Sequence, residues 1–363
     1  MESRRLLYID ALRGFAIFGV VVVHVAGAYP TPCHVLNVIL ANGGRGVQLF
    51  FVVSAFTLFH SLAAKTAGAA GLFRFFVRRY FRVAPLYYAG LLIYLVVHRY
   101  DSRYWVSGSI SATSIALNAM FLNGWHPAWF GGVVPGGWSV SVEMSFYLLL
   151  PLLFVLCRNS RQAMMGFCLL QPAYVFLNWF TYHRLHELFR GSQLDAPLSL
   201  WLPAQLPVFF CGMILYFADR EQWPVWRGLG SAILLCGVIA ATRIASKAWF
   251  GNEIPTAARA QWAGVAFFTA AFLVARYPLR IVVNHATAYL GRVSYGAYIS
   301  NFAVLTVYCH LRPGAGANGS YWSGLPALAF VSAGTVIIAA ILHHSLELPM
   351  QALGAALLRK IPC

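Results

Sequence analysis

The sequence predicts an all-α membrane protein, a polytopic bundle of about ten transmembrane helices. Three observations support this fold class. Of the 363 residues, 60% are hydrophobic and only 10% are charged, and the mean hydropathy is +0.68. A soluble protein of this length could not bury so much apolar surface. Long apolar segments recur along the whole chain, and the basic residues between them are distributed unevenly, as in proteins with one fixed orientation in the membrane.

Ten apolar segments are candidates for membrane-spanning helices, because a helix needs about 20 mainly apolar residues to cross a bilayer. They are residues 11–29, 46–64, 83–98, 138–157, 163–181, 200–217, 228–247, 260–275, 294–310 and 323–344. The fifth to eighth segments have the least defined boundaries, since several are short and prolines interrupt them. These prolines are Pro172, Pro203 and Pro207.

The basic residues predict the orientation of the bundle. The formal net charge is +16, and 23 of the 26 basic residues are arginine. If Arg4 and Arg5 are cytoplasmic, 17 basic residues lie on cytoplasmic segments and nine lie outside. This bias predicts that both termini are cytoplasmic. A binding site for an anionic cofactor is a second interpretation of the excess of basic residues. Nucleic-acid binding is not expected, because no basic segment stands apart from the apolar ones.

No soluble domain or linker is visible, so we predict a single transmembrane domain over residues 1–363. The N-terminal arginines and the AGA at 26–28 resemble the features of a cleavable signal peptide. Because Asp10 and Arg13 interrupt the apolar segment, we expect that the segment is not cleaved and forms the first span. The sequence of residues 346–363 predicts a short amphipathic helix on the cytoplasmic face.

The seven cysteines form no CxxC pair, so neither disulfides nor a metal site is expected.

The longest predicted outside segment covers residues 99–137. It contains SIALNAMFL, a short amphipathic stretch that is too brief to cross a membrane, followed by GWHPAWFGGVVPGGW. Tryptophan and glycine in this pattern are typical of an interfacial loop, so we expect the segment to cap the bundle.

The first apolar segment contains an arginine and a histidine in the stretch RGFAIFGVVVVH. Eleven residues at about 100° each return to nearly the same helix face, so Arg13 and His24 share a face about 16 Å apart. Asp10 can pair with Arg13 on that face. A histidine inside a membrane indicates a functional site, and its ring is suited to deprotonating a hydroxyl. The alternative is a structural histidine bonded to a backbone carbonyl.

A cluster of arginines precedes the third apolar segment, in RFFVRRYFRVAP at 74–85. Arg79 and Arg82 are three residues apart and Arg78 and Arg82 four apart, so they share a helix face. Guanidinium groups bind phosphates through two parallel hydrogen bonds, which predicts a phosphate site at the cytoplasmic mouth. The alternative is ordinary anchoring of a helix end.

The fourth apolar segment contains a polar stripe, in PGGWSVSVEMSFYLLLP at 135–151. Ser139, Glu143 and Tyr147 are each four residues apart, and Glu143 lies about 8 Å below Trp138 along the helix axis. A lone glutamate inside a membrane is costly unless it is paired. We therefore expect a histidine or arginine partner from another helix; the alternative is a structural hydrogen bond between helices.

Six motifs follow one another along the chain. They are YIDALRGFAIFGVVVVH with Arg-x10-His, GVQLFFVVSAFTL, FVRRYFRVAP with Arg-x-x-Arg, WSVSVEMSFYLLLP with Trp-Ser-x-x-x-Glu, LGRVSYGAYISNF, and LELP with Glu-x-Pro. In this order they resemble the motifs of acyltransferase family 3, integral membrane proteins that O-acylate carbohydrates and other acceptors. Ala55 stands where the second motif of the family usually has glycine, and Asn301 where the fifth often has histidine. The six motifs span nearly the whole chain.

The resemblance implies a membrane-bound O-acyltransferase, usually an O-acetyltransferase, with acetyl-CoA or another acyl-CoA as the cytoplasmic donor. The acceptor would be a hydroxyl of a carbohydrate. His24 would be the catalytic base, and Glu143 would orient it or balance its charge. The residues implied to bind the CoA phosphates are Arg13, Arg78, Arg79 and Arg82. The supporting residues are Asp10, Trp138, Ser139 and Tyr147.

The location, the acceptor and the route of acyl transfer are further expectations. We expect a multi-pass protein of a bacterial inner membrane that acts on a cell-surface or exported polysaccharide, or on its lipid-linked oligosaccharide precursor. The alternative is a transporter or flippase for a lipid-linked sugar, although no inverted repeat or matched pair of broken helices is visible. Transfer could be direct or pass through an acylated hydroxyl. The candidate carriers are Ser139, Ser141 and Tyr147.

Two further expectations concern histidines. Counting along each helix from opposite membrane faces places His24 and Glu143 at similar depth. We therefore predict that their side chains approach within hydrogen-bond reach, directly or through one water, at the end of a cavity open to the cytoplasm. His343 and His344 lie outside the motifs, and we interpret them as structural.

Overall fold

The protein is mainly helical in the part of the chain that the computed structural model describes, which comprises residues 2–65, 68–98, 110–126, 129–130, 132–188, 192–251, 258–312 and 324–360. These residues contain no strand. The helices are α1 (Glu2–Ala28), α2 (His34–Ala41), α3 (Gly46–Lys65), α4 (Gly68–His98), α5 (Ala112–Ala119), α6 (Gly137–Leu156), α7 (Ser160–Leu185), α8 (Ser192–Leu200), α9 (Leu202–Arg220), α10 (Val225–Phe250), α11 (Ala258–Arg276), α12 (His285–Arg292), α13 (Ser294–Leu311), α14 (Gly324–Leu342) and α15 (Leu348–Arg359). A 3₁₀ turn precedes α3, and a π-helical turn joins α14 to α15.

The all-α membrane fold is confirmed. Each of the ten predicted segments overlaps a helix, and eight helical stretches in the described residues are long and apolar enough to cross a membrane. The third and ninth segments lie on α4 and α13, which are helical but outside that group of eight. Large apolar side chains such as Leu148 and Ile233 are exposed, as expected for helices that face lipid. The cytoplasmic orientation of the termini stays a prediction.

The described chain divides into two compact units. Unit one consists of Met1–Phe50, Ala67–Val97 and Pro278–Cys363, and unit two consists of Phe51–Thr66 and His98–Tyr277. Helix α3 therefore begins in unit one and ends in unit two. The single domain predicted over residues 1–363 stays a prediction.

In unit one, α1 packs closely against α12 because glycines remove side chains from both helices. A Cβ atom at Gly14 would overlap the carbonyl of Thr287, and one at Gly291 would overlap the carbonyl of Asp10. The backbones thus approach directly beside Arg13. Further along α1, Val21 and Val25 join a buried cluster with residues of α13 and α14. These contacts fix the helix that carries His24.

The predicted C-terminal helix is present as α15, packed within unit one. Gly354 and Leu358 are its buried residues, and a Cβ atom at Gly354 would overlap the side chain of Phe81 on α4. The exposed side chains include Leu348, Leu353 and Leu357, and the amphipathic character of the helix stays a prediction. Its position on the cytoplasmic face stays a prediction.

In unit two, α9 is the central helix and is buried along almost its whole length. Its Phe209 stacks on Phe51 of α3 and Phe146 of α6, with ring centroids 4.6 and 4.0 Å apart. Helix α6, which carries Glu143, is thereby held against α3 and α9. The predicted short stretch before it is present as α5, which is too short to span a membrane; residues 99–109 lie outside the described residues.

Candidate active site

His24 lies on α1, and its ring is held by a side chain of α13. Its Nδ1 lies 2.6 Å from Oδ1 of Asn301. The amide nitrogen of Asn301 donates to the carbonyls of Ala297 and Tyr298, at 3.2 and 2.6 Å. Because carbonyls accept only, the amide group must face them with its NH₂, and Oδ1 must face the histidine. Nδ1 of His24 is therefore the donor in this bond.

This bond determines which ring nitrogen can act as a base. In the neutral ring, a proton on Nδ1 leaves the lone pair on Nε2. Nε2 makes no hydrogen bond to any residue that the structure describes. The ring packs on Phe302, with centroids 3.9 Å apart, which fixes its plane. The arrangement presents a nitrogen lone pair in a fixed direction, as a general base requires.

Tyr94 of α4 contacts α13 beside Asn301. Its buried hydroxyl donates to the carbonyl of Ile299 at 2.8 Å and accepts from the backbone nitrogen of Ala303 at 3.1 Å. In a regular helix these two backbone groups bond to each other. The hydroxyl of Tyr94 thus joins α4 to the turn of α13 that contains Asn301.

The predicted arginines all lie in unit one, on α1 and α4. Nη1 of Arg13 pairs with Oδ1 of Asp10 at 3.3 Å, and the Arg13 side chain is only 16% exposed. This confirms the expected pairing. On α4, Arg79 lies over the ring of Phe75, with Cζ 5.4 Å from the centroid, and Arg82 is exposed. Arg78 is half-buried on the same helix. Their roles in donor binding stay predictions.

Glu143 lies on α6, half-buried, and two hydroxyl groups of unit two hold its carboxylate. Its Oε1 accepts hydrogen bonds from Ser54 of α3 and from Tyr147, the latter at 2.7 Å. No arginine in the described part of unit two pairs with it. Two other predicted supporting residues have structural contacts. Ser139 donates to the carbonyl of Gly136, and Trp138 packs near Phe51 and Phe130.

The predicted contact between His24 and Glu143 joins residues of different units and stays a prediction. The bond at Nδ1, which a carboxylate was expected to provide, comes from Asn301. Sequence reasoning noticed Asn301 only as a departure from the family pattern and did not identify Ser54 or Tyr94. A polar residue inside an apolar segment is the signal that could have identified Asn301 as a partner.

The π-helical turn contains a pair that sequence reasoning treated as unrelated residues. Nδ1 of His343 lies 2.8 Å from Oε2 of Glu347, and the Glu347 side chain is 5% exposed. Glu347 belongs to the Glu-x-Pro motif. The two residues are four apart, a spacing that places side chains on one helix face, and the histidine lies against the buried carboxylate within the π-helical turn.

Comparison with known proteins agrees with these motifs. The model of a family described as "Acyltransferase domain" matches residues 6–344. The chain belongs to acyltransferase family 3. It is also 25% identical, over 377 residues, to Acyltransferase MdmB from Streptomyces mycarofaciens, covering 96% of this chain and 93% of that protein. No solved structure matches this acyltransferase. It is therefore a multi-pass membrane acyltransferase, which uses an acyl donor and an acceptor.

Proposed function

We propose that this acyltransferase is an O-acetyltransferase that uses acetyl-CoA from the cytoplasm and a hydroxyl of a carbohydrate as acceptor. The observation that supports this most directly is the bond between His24 and Asn301, because it leaves Nε2 as the basic atom. A base of this kind is what an acceptor hydroxyl needs before it can attack a thioester.

A single histidine is sufficient to accept and return the proton in this reaction. Nε2 of His24 takes the proton of the acceptor hydroxyl as its oxygen forms a bond to the carbonyl carbon of the acetyl group. The bond between that carbon and the sulfur of CoA breaks. The proton passes from the imidazolium to the departing thiolate, which leaves as free CoA, and the histidine returns to its neutral form.

We propose direct transfer, without an acylated hydroxyl on the protein. The three hydroxyl groups considered as carriers all donate to acceptors within unit two. Ser139 donates to the carbonyl of Gly136, Ser141 to that of Phe121, and Tyr147 to Glu143.

The proposed donor site consists of arginines in unit one. Arg13, Arg78, Arg79 and Arg82 would bind the phosphates of CoA. Asp10 would hold the guanidinium of Arg13 in place through the pair described above. A guanidinium binds a phosphate through two hydrogen bonds, and this needs a fixed orientation.

Glu143 would stabilise the positive charge that His24 carries during the reaction. In the described part of unit two, hydroxyl groups hold its carboxylate and no arginine neutralises its charge. The proposed acceptor is a cell-surface or exported polysaccharide, or its lipid-linked precursor, in a bacterial inner membrane. Family membership favours acyl transfer over the transport of a lipid-linked sugar.

Mass spectrometry of surface glycans tests the proposed function. A strain that lacks the gene should lose acetyl groups from one glycan, and the intact gene should restore them, whereas a gene encoding His24→Ala should not. Unchanged glycans in the deletion strain would contradict the carbohydrate acceptor. The purified protein should also be stabilised against heat by CoA, which a transporter of sugar lipids would not be.

A further inference from the structure

A groove of about 500 Å³ lies in unit two between α7 and α10. Its lining follows one face of each helix, because the α7 residues recur every four positions and the α10 residues are seven apart. The lining residues are Ser160, Arg161, Met164, Met165, Cys168 and Leu169 of α7, and Arg227 and Leu234 of α10. With a rise of about 1.5 Å per residue, the groove extends over roughly 12 Å of α7.

One end of the groove is basic, because Arg161 and Arg227 lie in the first turns of α7 and α10. The guanidinium of Arg161 is exposed and makes no hydrogen bond or ion pair with any residue that the structure describes. That of Arg227 lies over the ring of Trp223, with Cζ 4.3 Å from the centroid. Its Nη2 lies 3.3 Å from both Oε2 of Glu221 and Oγ of Ser160. Arg227 is therefore held in place and keeps its other N–H donors for a ligand.

The carboxylate beside these arginines is already compensated within the protein. Glu221 accepts from the backbone nitrogen and the hydroxyl of Ser160, at 2.9 and 2.7 Å. It also accepts from Nε1 of Trp223 at 2.8 Å and pairs with Arg227. The charge of Arg161 is left over, and the N-termini of two helices add partial positive charge. This end of the groove thus favours an anion.

The rest of the groove is apolar and open at the side. Met165, Leu169 and Leu234 are 56%, 69% and 52% exposed, and they lie on two helices that are long and apolar enough to span a membrane. Oγ of Ser231 on α10 lies 3.9 Å from Sδ of Met164 on α7, and this contact joins the two helices beside the groove. Apolar side chains in this position contact hydrocarbon and not water.

We propose that this groove binds one anionic phospholipid, with its phosphate between Arg161 and Arg227 and an acyl chain along the apolar part. A guanidinium binds a phosphate through two parallel hydrogen bonds. In the orientation that the basic residues predict, this end of α7 and α10 is cytoplasmic. Basic pockets between membrane-spanning helices on that side bind anionic lipid headgroups. The site is independent of the proposed function.

CoA also carries phosphates, but its chain contains amide groups. These groups are costly to place against a wall of methionine and leucine side chains, which accepts no hydrogen bonds of normal strength. A phospholipid has a charged group and a hydrocarbon chain in the same order as the groove has arginines and apolar side chains. The groove therefore fits a lipid of the surrounding leaflet better than a soluble phosphate compound.

Native mass spectrometry of the full-length protein in neutral detergent measures lipid binding, after residual lipid has been removed. The probes are dioleoyl phosphatidylglycerol and dioleoyl phosphatidylcholine, which have the same chains but differ in headgroup charge. The wild-type protein should bind one phosphatidylglycerol about fivefold more tightly than phosphatidylcholine, or better. Soluble glycerophosphoglycerol, which is the same headgroup without chains, should not compete, because the apolar wall contributes to binding.

Two pairs of variants separate the basic end from the apolar wall. Arg161→Gln should lower the affinity for phosphatidylglycerol about fivefold, since one arginine near a membrane surface contributes about this factor. Arg220→Gln is its matched control, because Arg220 is exposed, lies on the same predicted side and does not line the groove. Leu234→Trp fills the apolar part and should lower the affinity about fourfold for each methylene group that it displaces. Ile233→Trp, at a neighbouring position that is 73% exposed, should have no effect.

Equal losses in Arg161→Gln and Arg220→Gln would overturn the site, because the lipid would then be attracted by the general charge of this side. Equal affinity of the wild-type protein for the two lipids, or unchanged binding in Arg161→Gln and Leu234→Trp, would also overturn it. Competition by CoA would assign the groove to the acyl donor instead, and a dimer that dissociates in Leu234→Trp would assign it to a second copy of the chain. Equal Tm values without lipid verify that the variants are folded.

Discussion

The surroundings of His24 in unit one and Glu143 in unit two differ in the kind of group that holds each side chain. One amide oxygen and one aromatic ring hold His24, and Nε2 has no hydrogen-bond partner in the part of the chain that the structure describes. Two hydroxyl groups hold Glu143 and place both hydrogen bonds on the same carboxylate oxygen. The first arrangement presents a base to a substrate, and the second keeps a negative charge in a fixed position. Both polar residues lie in apolar segments, but their environments suit different tasks.

The largest effect is expected at the base. His24→Ala should lower kcat by about 10²–10⁴, since that is the usual contribution of a general base. CoA should still stabilise the protein against heat, because the donor arginines are unchanged. Single-turnover assays with acetyl-CoA and the glycan acceptor measure the rate. Near wild-type transfer by the purified variant would remove His24 from the mechanism.

Glu143→Gln should lower kcat by about tenfold to a hundredfold, since it removes a charge but keeps the shape and the hydroxyl contacts. The affinity for CoA should hardly change. Combining it with His24→Ala should add little further loss, because residues that act as a unit are not additive. If the falls in kcat of the two single variants multiply in the double variant, Glu143 acts independently of His24. Its negative charge would then have a structural role.

Asn301 tests whether the direction of the histidine ring matters. Asn301→Leu keeps the volume but removes the acceptor for Nδ1–H, and we expect kcat to fall about tenfold or more, as when other histidines lose an orienting partner. KM for acetyl-CoA should not change. Asn301→His, which introduces the residue common in the family, should recover part of the rate. Equal rates for Asn301→Leu and wild type would show that Phe302 alone fixes the ring.

The sequence predicted the polar residues but not their contacts. His24 and Glu143 stand out because each interrupts an apolar segment, and helix geometry alone placed Arg13 beside Asp10 and Tyr147 beside Glu143. Contacts within one helix follow from spacing. The contacts of His24 with Asn301, and of Glu143 with Ser54, join segments far apart in the chain. Such contacts depend on how helices pack, which spacing in one sequence does not determine.

The packing itself was also only partly predictable. Ala55 replaces the usual glycine of its motif, and the structure shows how the extra methyl group fits. A Cβ atom at Gly212 of α9 would overlap the Cβ of Ala55, so the glycine stands on the opposite helix. A single sequence does not show that residue 55 faces residue 212, so it does not reveal that a larger side chain on one helix is matched by a smaller one on the other.

The arginines of α4 should affect donor binding and not the chemical step. Arg79→Ala and Arg82→Ala should each raise KM for acetyl-CoA about tenfold, because a hydrogen bond to a charged group contributes roughly 1.5–3 kcal/mol. Lysine at either position should recover only part of this loss, since it lacks the planar fork. Titration calorimetry with CoA measures the affinity. Unchanged binding in both alanine variants would indicate that these arginines only anchor the helix.

A second carboxylate of unit two provides the smallest effect and a control for Glu143. Glu221 accepts from the backbone nitrogen and the hydroxyl of Ser160, at 2.9 and 2.7 Å, and from Nε1 of Trp223 at 2.8 Å. Arg227 lies 3.3 Å away. Partial burial raises the pKa of Glu221, but these hydrogen bonds and the arginine outweigh it and bring the pKa below its usual value. Unlike Glu143, this carboxylate joins the start of α7 to the end of α9, which is a structural task.

Glu221→Gln should therefore lower stability without lowering kcat. At neutral pH we expect a loss of about 1 kcal/mol, seen as a fall of a few degrees in Tm. A carboxyl whose pKa is lower in the folded state stabilises the fold above its unfolded pKa, and this stabilisation disappears as the pH falls through the folded pKa. The Tm difference between wild type and variant should thus shrink below about pH 4. A Tm difference that stays constant with pH would mean that the packing of Glu221, and not its charge, stabilises the fold. A fall in kcat would show that Glu221 is not a purely structural control for Glu143.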